Sequence, residues 1–175
     1  MSSPASALSL LIAGDGPLLA SLHDEVARLQ IGSFVRFLGH VDYNQLPTVY
    51  SRARCLVLPS TVEQWGLVVN EALAAGRPVL LSNRCGAAAD LLLAGKNGYS
   101  FDPYDEIEIA ECILKITSCR DLQKFRAASI EKAAQWGLER FGSGLKACID
   151  IAVGRPKKRH FITWVSATAA STLAH

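Results

Sequence analysis

The sequence predicts an α/β domain organised on a doubly wound parallel sheet. Three observations predict it: apolar runs of strand length recur along the chain, longer stretches of helical character separate them, and turn-forming residues mark the junctions. The runs are Leu8 to Ala13, Phe34 to Leu38, Cys55 to Leu58, Val79 to Ser82 and the weaker Tyr99 to Phe101. Five strands alternating with helices place helices on both faces of one sheet.

In chain order, the first strand runs into Gly14-Asp15-Gly16-Pro17, a turn whose proline suits the first position of a helix. Asn44-Gln45-Leu46-Pro47 starts a second helix. A third is expected from about Gly66 to Ala75, ended by Gly76 ahead of Arg77-Pro78. From Asp105 to about Val153 the pattern is mostly helical, with glycine breaks near Gly137 and at Gly142 to Gly144 that allow a change of direction. Residues 1–153 therefore form the domain, and 154–175 differ in character. Arg155-Pro156-Lys157-Lys158-Arg159-His160 is basic, and Phe161 to His175 is rich in Ser, Thr and Ala. This segment reads as a poorly ordered tail, with contact to an anionic membrane surface as the alternative. No internal repeat is present.

The totals narrow the function. Half of the 175 residues are hydrophobic, enough for one domain with a real core but too few residues for two. Eighteen basic against 16 acidic side chains give a net charge of +2, too weak a field to imply a nucleic-acid partner. Five cysteines without a Cys-x-x-Cys pair favour reduced thiols in a cytosolic protein over a disulfide frame or a zinc site. The apolar run at Ala7 to Ala13 has no basic residue before it and meets Asp15 almost at once, unlike a signal peptide. No apolar stretch reaches the roughly 18 to 20 residues of a membrane span.

In an open parallel sheet, ligands bind outside the carboxyl ends of the strands. That selects Gly14-Asp15-Gly16, Gly39-His40-Val41, Ser60 to Gly66, Asn83 to Gly86 and Asp102 to Asp105. The third loop carries the sharpest signal, with Glu63 and Glu71 flanking Gln64 to Asn70. A helix beginning near Gly66 offers backbone N–H groups without intrahelical partners and a positive dipole end, which suits a diphosphate. Leu67, Val68, Val69, Ala72, Leu73, Ala74 and Ala75 cover almost its whole circumference, predicting a helix buried on every side. Glu71 is then anomalous, because a buried carboxylate needs a partner. Helical side chains lean toward the N-terminus, so Glu71 can point back to whatever the helix start binds, and the vicinal hydroxyls of a ribose would satisfy both of its oxygens. The structural alternative pairs Glu71 with Arg77 or Arg84 and leaves Glu63 an ordinary loop acid.

Glu63 through Glu71, continued by Ala72-Leu73-Ala74-Ala75-Gly76-Arg77-Pro78-Val79, resembles the E-x7-E signature and following stretch of the retaining glycosyltransferases of family 4. Leu11 to Pro17 resembles a strand and turn of that family's donor domain. Further matches are Phe37-Leu38-Gly39-His40-Val41, Val57-Leu58-Pro59-Ser60, Gly86 with Asp90, and Asn97-Gly98-Tyr99, in the family's order from about Leu8 to Phe141. The resemblance implies the Rossmann-like C-terminal half of a GT-B fold and transfer of a sugar from a nucleotide diphosphate sugar to an acceptor hydroxyl, with retention and no obligatory metal or other cofactor. It implies that Glu71 holds the ribose and that Glu63 contacts the donor sugar near the reacting carbon as the catalytic residue. The N–H groups of Gly66, Leu67 and Val68 would take the phosphates, and Gly14, Gly16 and the Gly39-His40-Val41 loop would complete the donor pocket. His40 also reads as a solvated loop histidine.

The sequence departs from the family in two respects. Only seven residues precede Leu8, so neither the first strand of this domain nor its diphosphate-clamping Arg and Lys can be carried over, and the acceptor domain is absent from the chain. Trp136 and Phe141 are expected to expose an apolar patch suited to an acceptor-domain partner or to self-association. Two readings stand: a glycosyltransferase donor domain, and a nucleotide-binding module or remnant without transfer of its own. A dinucleotide-binding dehydrogenase fits poorly, because Leu19 occupies the position where a third glycine would follow Gly14 and Gly16.

Overall fold

The computed structural model describes residues 8–154; the basic segment from Arg155 and the Ser/Thr/Ala-rich segment after it lie outside the described residues. Residues up to Ala133 form one compact unit, and those from Ala134 form another. In the first unit, β1 (Leu10–Ala13), β2 (Val35–Gly39), β3 (Leu56–Leu58), β4 (Val79–Ser82) and β5 (Gly98–Phe101) alternate with helices. The helices are α1 (Leu19–Arg28), α2 (Leu46–Arg52, after a short 3-10 turn at Tyr43–Gln45), α3 (Leu67–Ala74), α4 (Gly86–Leu91), α5 (Glu106–Thr117) and α6 (Gln123–Ala134).

Every strand pair is parallel, as the alternation requires. The expected single sheet is hydrogen-bonded in two pieces, β1-β2 and β3-β4-β5. Among the described residues the two pieces share no ladder pairing.

The core sits on the three-stranded piece. All four residues of β4 are buried. Leu80 packs with Phe101, Cys112, Ile116 and Leu122, and the partly buried Cys55, Val57, Tyr99 and Phe125 close around them. β1 is poorly covered by comparison, with Leu10 50% exposed. Asp105 starts α5 by accepting from the N–H groups of Ile107 and Glu108, the N-cap arrangement that answers two orphan donors.

The expectation that α3 is buried on every side is corrected. Val69, Ala72 and Leu73 are fully buried, at the i, i+3, i+4 spacing of a single face, whereas Leu67 is 71% exposed and Val68 and Ala74 also meet solvent. α3 packs through one face on β4 and α4, and apolar side chains on its other face are not thereby covered. It ends as expected: Gly76, at φ +66°, donates to Leu73 O and Arg77 to Ala72 O, the paired bonds of a Schellman cap.

In the second unit α7 spans Leu138–Ala152 after Gly137 at its N-cap. The expected break at Gly142 to Gly144 does not occur. Two glycines cost about 1 kcal/mol each in helix propensity, and the fifteen-residue helix carries them. Trp136 is half-buried under the guanidinium of Arg140, 4.3 Å from its ring centre, while Leu138 and Phe141 are largely exposed. All five cysteines are free thiols. Among the described residues no helix is long and apolar enough to cross a membrane.

Candidate functional site

Parallel strands send their carboxyl ends to one edge, and the predicted loops meet there in two groups. The N–H of Gly14 donates to Gly39 O at 2.8 Å, joining the turn after β1 to the turn after β2. Asp15 Oδ1 accepts from Gly16 N at 2.7 Å and so holds its own turn closed. In the neighbouring loop Val41 is half-buried. His40 is a solvated side chain, 83% exposed and 3.8 Å from Asp42 Oδ1, beyond hydrogen-bond distance.

The second group joins the loops after β3 and β4. Glu63 and Cys85 form a parallel bridge, Gly86 N donates to Glu63 O at 2.9 Å, and Ala87 N donates to Trp65 O at 3.0 Å. Gly86 is required there, since a Cβ would fall 1.9 Å from Gln64 O. The Glu63 carboxylate is half-buried and its Oε1 accepts a long bond, 3.4 Å, from Trp65 N. Among the described residues no hydrogen bond links this group to the Gly14–Gly39 group.

Gly66, the N-cap of α3, stands at φ +89°, a left-handed conformation that side chains resist. A Cβ there would also press on Leu58, Cys85 and Glu63 at 3.1 to 3.3 Å. Its absence of a side chain thus serves local conformation and packing. No side chain caps α3, and among the described residues the N–H groups of Gly66, Leu67 and Val68 make no hydrogen bond. The helix start therefore holds unbonded donors at a positive dipole end, with Leu67 and Val68 exposed and Gly66 buried.

Glu71 lies one turn further and is half-buried rather than sunk. Its Oε2 accepts from the hydroxyl of Tyr50 on α2 at 2.9 Å. Burial, the hydrogen bond and the charge of Glu71 together push the Tyr50 phenol above its ordinary value, so it stays a donor at neutral pH. Neither arginine offered as a structural partner takes the carboxylate. Arg77 donates to Ala75 O and Ala53 O at the ends of α3 and α2, and Arg84 lies over the ring of Tyr104, 5.3 Å from its centre. Tyr50 was not legible in the sequence: it stands 21 residues from Glu71 in an unremarkable helix, and only the tertiary fold brings the two together. Vicinal hydroxyls need not satisfy both oxygens, because Oε2 already has a donor.

A cleft of about 650 Å³ lies in the second unit, lined by Ala134, Gln135, Gly137, Leu138, Glu139, Arg140 and Ser143. None of the predicted donor-site residues lines it. Its residues are neighbours in sequence around one helix start, and it is a wide notch in the surface without an apolar interior.

The fold and the loop order are now fixed, and residues 3–136 match the protein family described as Glycosyl transferases group 1. The chain belongs to that family. This group 1 glycosyltransferase domain is 35% identical over 108 residues to glycogen synthase of Mycobacterium tuberculosis strain H37Rv, covering 62% of this chain and 26% of that protein. It is 30% identical over 131 residues to the sulfoquinovosyl transferase SQD2 of Arabidopsis thaliana, covering 73% and 24%. Among solved structures, Anabaena HepE in complex with UDP-glucose is 27% identical with a TM-score of 0.61, covering 72% of this chain and 35% of that one. Sucrose-phosphate synthase of Thermosynechococcus elongatus is 25% identical with a TM-score of 0.70, covering 83% and 39%. The group 1 domain has the architecture of the C-terminal half of a GT-B fold, and it spans about a quarter of the length of the curated relatives it matches.

Proposed function

We propose that this group 1 domain binds a nucleotide diphosphate sugar at the start of α3 and supplies the donor half of a family 4 transfer with retention. The observation that carries the reading is the pairing of the unbonded N–H groups of Gly66, Leu67 and Val68 with the Glu71 carboxylate one turn behind them. The N–H groups receive the diphosphate, Glu71 accepts from the ribose, and Glu63 contacts the sugar beside its anomeric carbon. Gly14, Gly16 and the Gly39-His40-Val41 turn close the pocket on the side of the base. In the reaction the bond from the anomeric carbon to the diphosphate oxygen breaks and a bond to the acceptor oxygen forms. The acceptor's proton leaves with the diphosphate, whose growing charge the fixed N–H dipoles stabilise.

The same reading supplies the domain with one further parallel strand between β1 and β3. In the doubly wound order 3-2-1-4-5-6, leaving out strand 1 yields a pair and a triplet, which is the division of the ladder here. The exposed Leu138 and Phe141 of α7 then face an acceptor-domain partner or a second copy.

Calorimetric titration of the 175-residue chain with UDP, GDP and ADP tests the proposal. UDP is the leading probe, since HepE was solved with UDP-glucose. Heat with one nucleotide, weakened roughly tenfold in Glu71→Ala, is expected, and silence with all three overturns the reading. A second reading, a nucleotide-binding module without transfer of its own, is favoured by one observation: the strand-end loops hold a single arginine or lysine, Arg84, for a ligand carrying two phosphates. Binding without turnover, even after an acceptor domain is added, would establish it.

A further inference from the structure

Glu71 and Tyr50 belong to different helices, and their hydrogen bond is the link between α2 and the carboxylate of the donor site. The phenol oxygen also lies 3.5 Å from Val68 O, close to the first turn of α3. Tyr50 is half-buried, so its ring is held by packing while its hydroxyl reaches the edge of the site. A glutamate on a helix surface samples several rotamers, and fixing it for a ligand costs side-chain entropy at the moment of binding. A bond to one oxygen removes that freedom beforehand and leaves the acceptor positions of the other oxygen for a ligand. Among the described residues Glu71 Oε1 has no hydrogen bond, and it is the oxygen left for a ligand.

We propose that Tyr50 is a positioning residue: its hydroxyl holds the Glu71 carboxylate in the orientation that accepts from the ribose hydroxyls, and thereby sets a preference for ribonucleotides over 2′-deoxyribonucleotides. The inference rests on the donor-site reading above. If Tyr50 served only to pack α2 on α3, the loss of its hydroxyl would weaken both kinds of nucleotide alike.

The test titrates the full chain and its Tyr50→Phe, Glu71→Ala and doubly substituted forms with UDP, GDP and ADP, each beside its 2′-deoxy analogue, with urea unfolding of every variant. The unaltered chain is expected to favour the ribonucleotide by roughly tenfold, the scale of one hydrogen bond to a charged group. Tyr50→Phe should lose most of that preference while holding the 2′-deoxy affinity within about twofold, since the bond it fixes is absent from that complex. Glu71→Ala should bring the ratio to about one, and the double variant should be no worse, because Tyr50 acts through Glu71. Retention of the ribose preference in Tyr50→Phe, or equal weakening of both ligands, overturns the positioning role and leaves the donor site intact. An unchanged preference in Glu71→Ala, or no binding by any nucleotide, overturns the donor-site reading and this inference with it. Should Tyr50→Phe fail to fold, Tyr50→Met, long and apolar without a hydroxyl, must show the same loss of preference.

Discussion

The indole N–H of Trp65 donates to Asn70 Oδ1 at 2.8 Å, tying the loop that enters α3 to the helix itself. The bond spans the Gly66 cap and holds the loop bearing Glu63 against the open N–H groups. Asn70→Ala is expected to lower stability by about 1 kcal/mol, the net value of a typical hydrogen bond. Asn70→Asp keeps an acceptor and should leave the urea midpoint near that of the parent chain. Its added negative charge, close to the proposed phosphate position, should weaken nucleoside diphosphate binding several-fold. Equal affinity in the two variants would separate Asn70 from the ligand's field.

Gly86→Ala is expected to be severe. Its methyl would overlap Gln64 O, a backbone atom that cannot swing away as a side chain can. Overpacking commonly costs about 1–3 kcal/mol and more where backbone must shift. The β4–α4 turn would be forced off the Glu63 loop, so the urea midpoint and nucleotide binding should fall together. An alanine variant of unchanged stability would show that the two loops separate freely.

Arg77 binds the carbonyls that end two helices, Ala75 of α3 and Ala53 of α2. Both oxygens lie at negative dipole ends, where a guanidinium is favoured. Arg77→Ala should cost about 1–2 kcal/mol, discounted for its partial exposure. Arg77→Lys should recover only part, because an ammonium lacks the planar fork that reaches two acceptors. Full recovery by lysine in thermal unfolding would refute the two-point cap.

Stability should fall at alkaline pH through Cys55. Burial pushes its thiol up to about 11, against a smaller opposing effect of the Arg54 charge. In the unfolded chain the thiol ionises near ~8.5. Below that pH both states hold the proton and the contribution is complete. Between there and about 11 the unfolded chain has released a proton that the folded chain keeps, so stability drops as pH rises, by about 1–3 kcal/mol at most. Tyr50, also raised, adds a loss of the same sign at higher pH. Urea midpoints from pH 7 to 10.5 should decline less steeply in Cys55→Ser; parallel curves would exclude Cys55 as the source.

The strands were legible because buried parallel strands read as continuous apolar runs: Val79 to Ser82 is β4 residue for residue, and the other four agree within two residues at each end. The strand-end loops followed from topology alone, which is why Gly14 and Gly39, and separately Glu63 and Gly86, were anticipated as neighbours of a ligand edge. Coverage was not legible. Leu67 and Val68 are as apolar as Val69, and nothing in composition tells which face of α3 meets β4 and which meets solvent. The partner of Glu71 was missed for a related reason. Arg77, near in sequence, was the obvious candidate, but helix ends claimed it, and a phenol brought in by tertiary packing took the carboxylate. The uninterrupted α7 shows that glycine marks where a helix is weak and does not by itself end one.

Because β4 is bonded along both sides and β1 along one only, the amide protons of this domain should exchange with solvent in two regimes. Those of Leu80 and Leu81 can reach deuterium only when the whole unit opens, whereas those of Leu11 and Ile12 need no more than a fraying of a two-stranded ribbon. The molecule is thus clamped hard beside the two glutamates of its proposed donor site and loose beside the turn proposed to meet the base. The loose half could then yield to the shape of an incoming heterocycle without disturbing the half proposed to meet the phosphates.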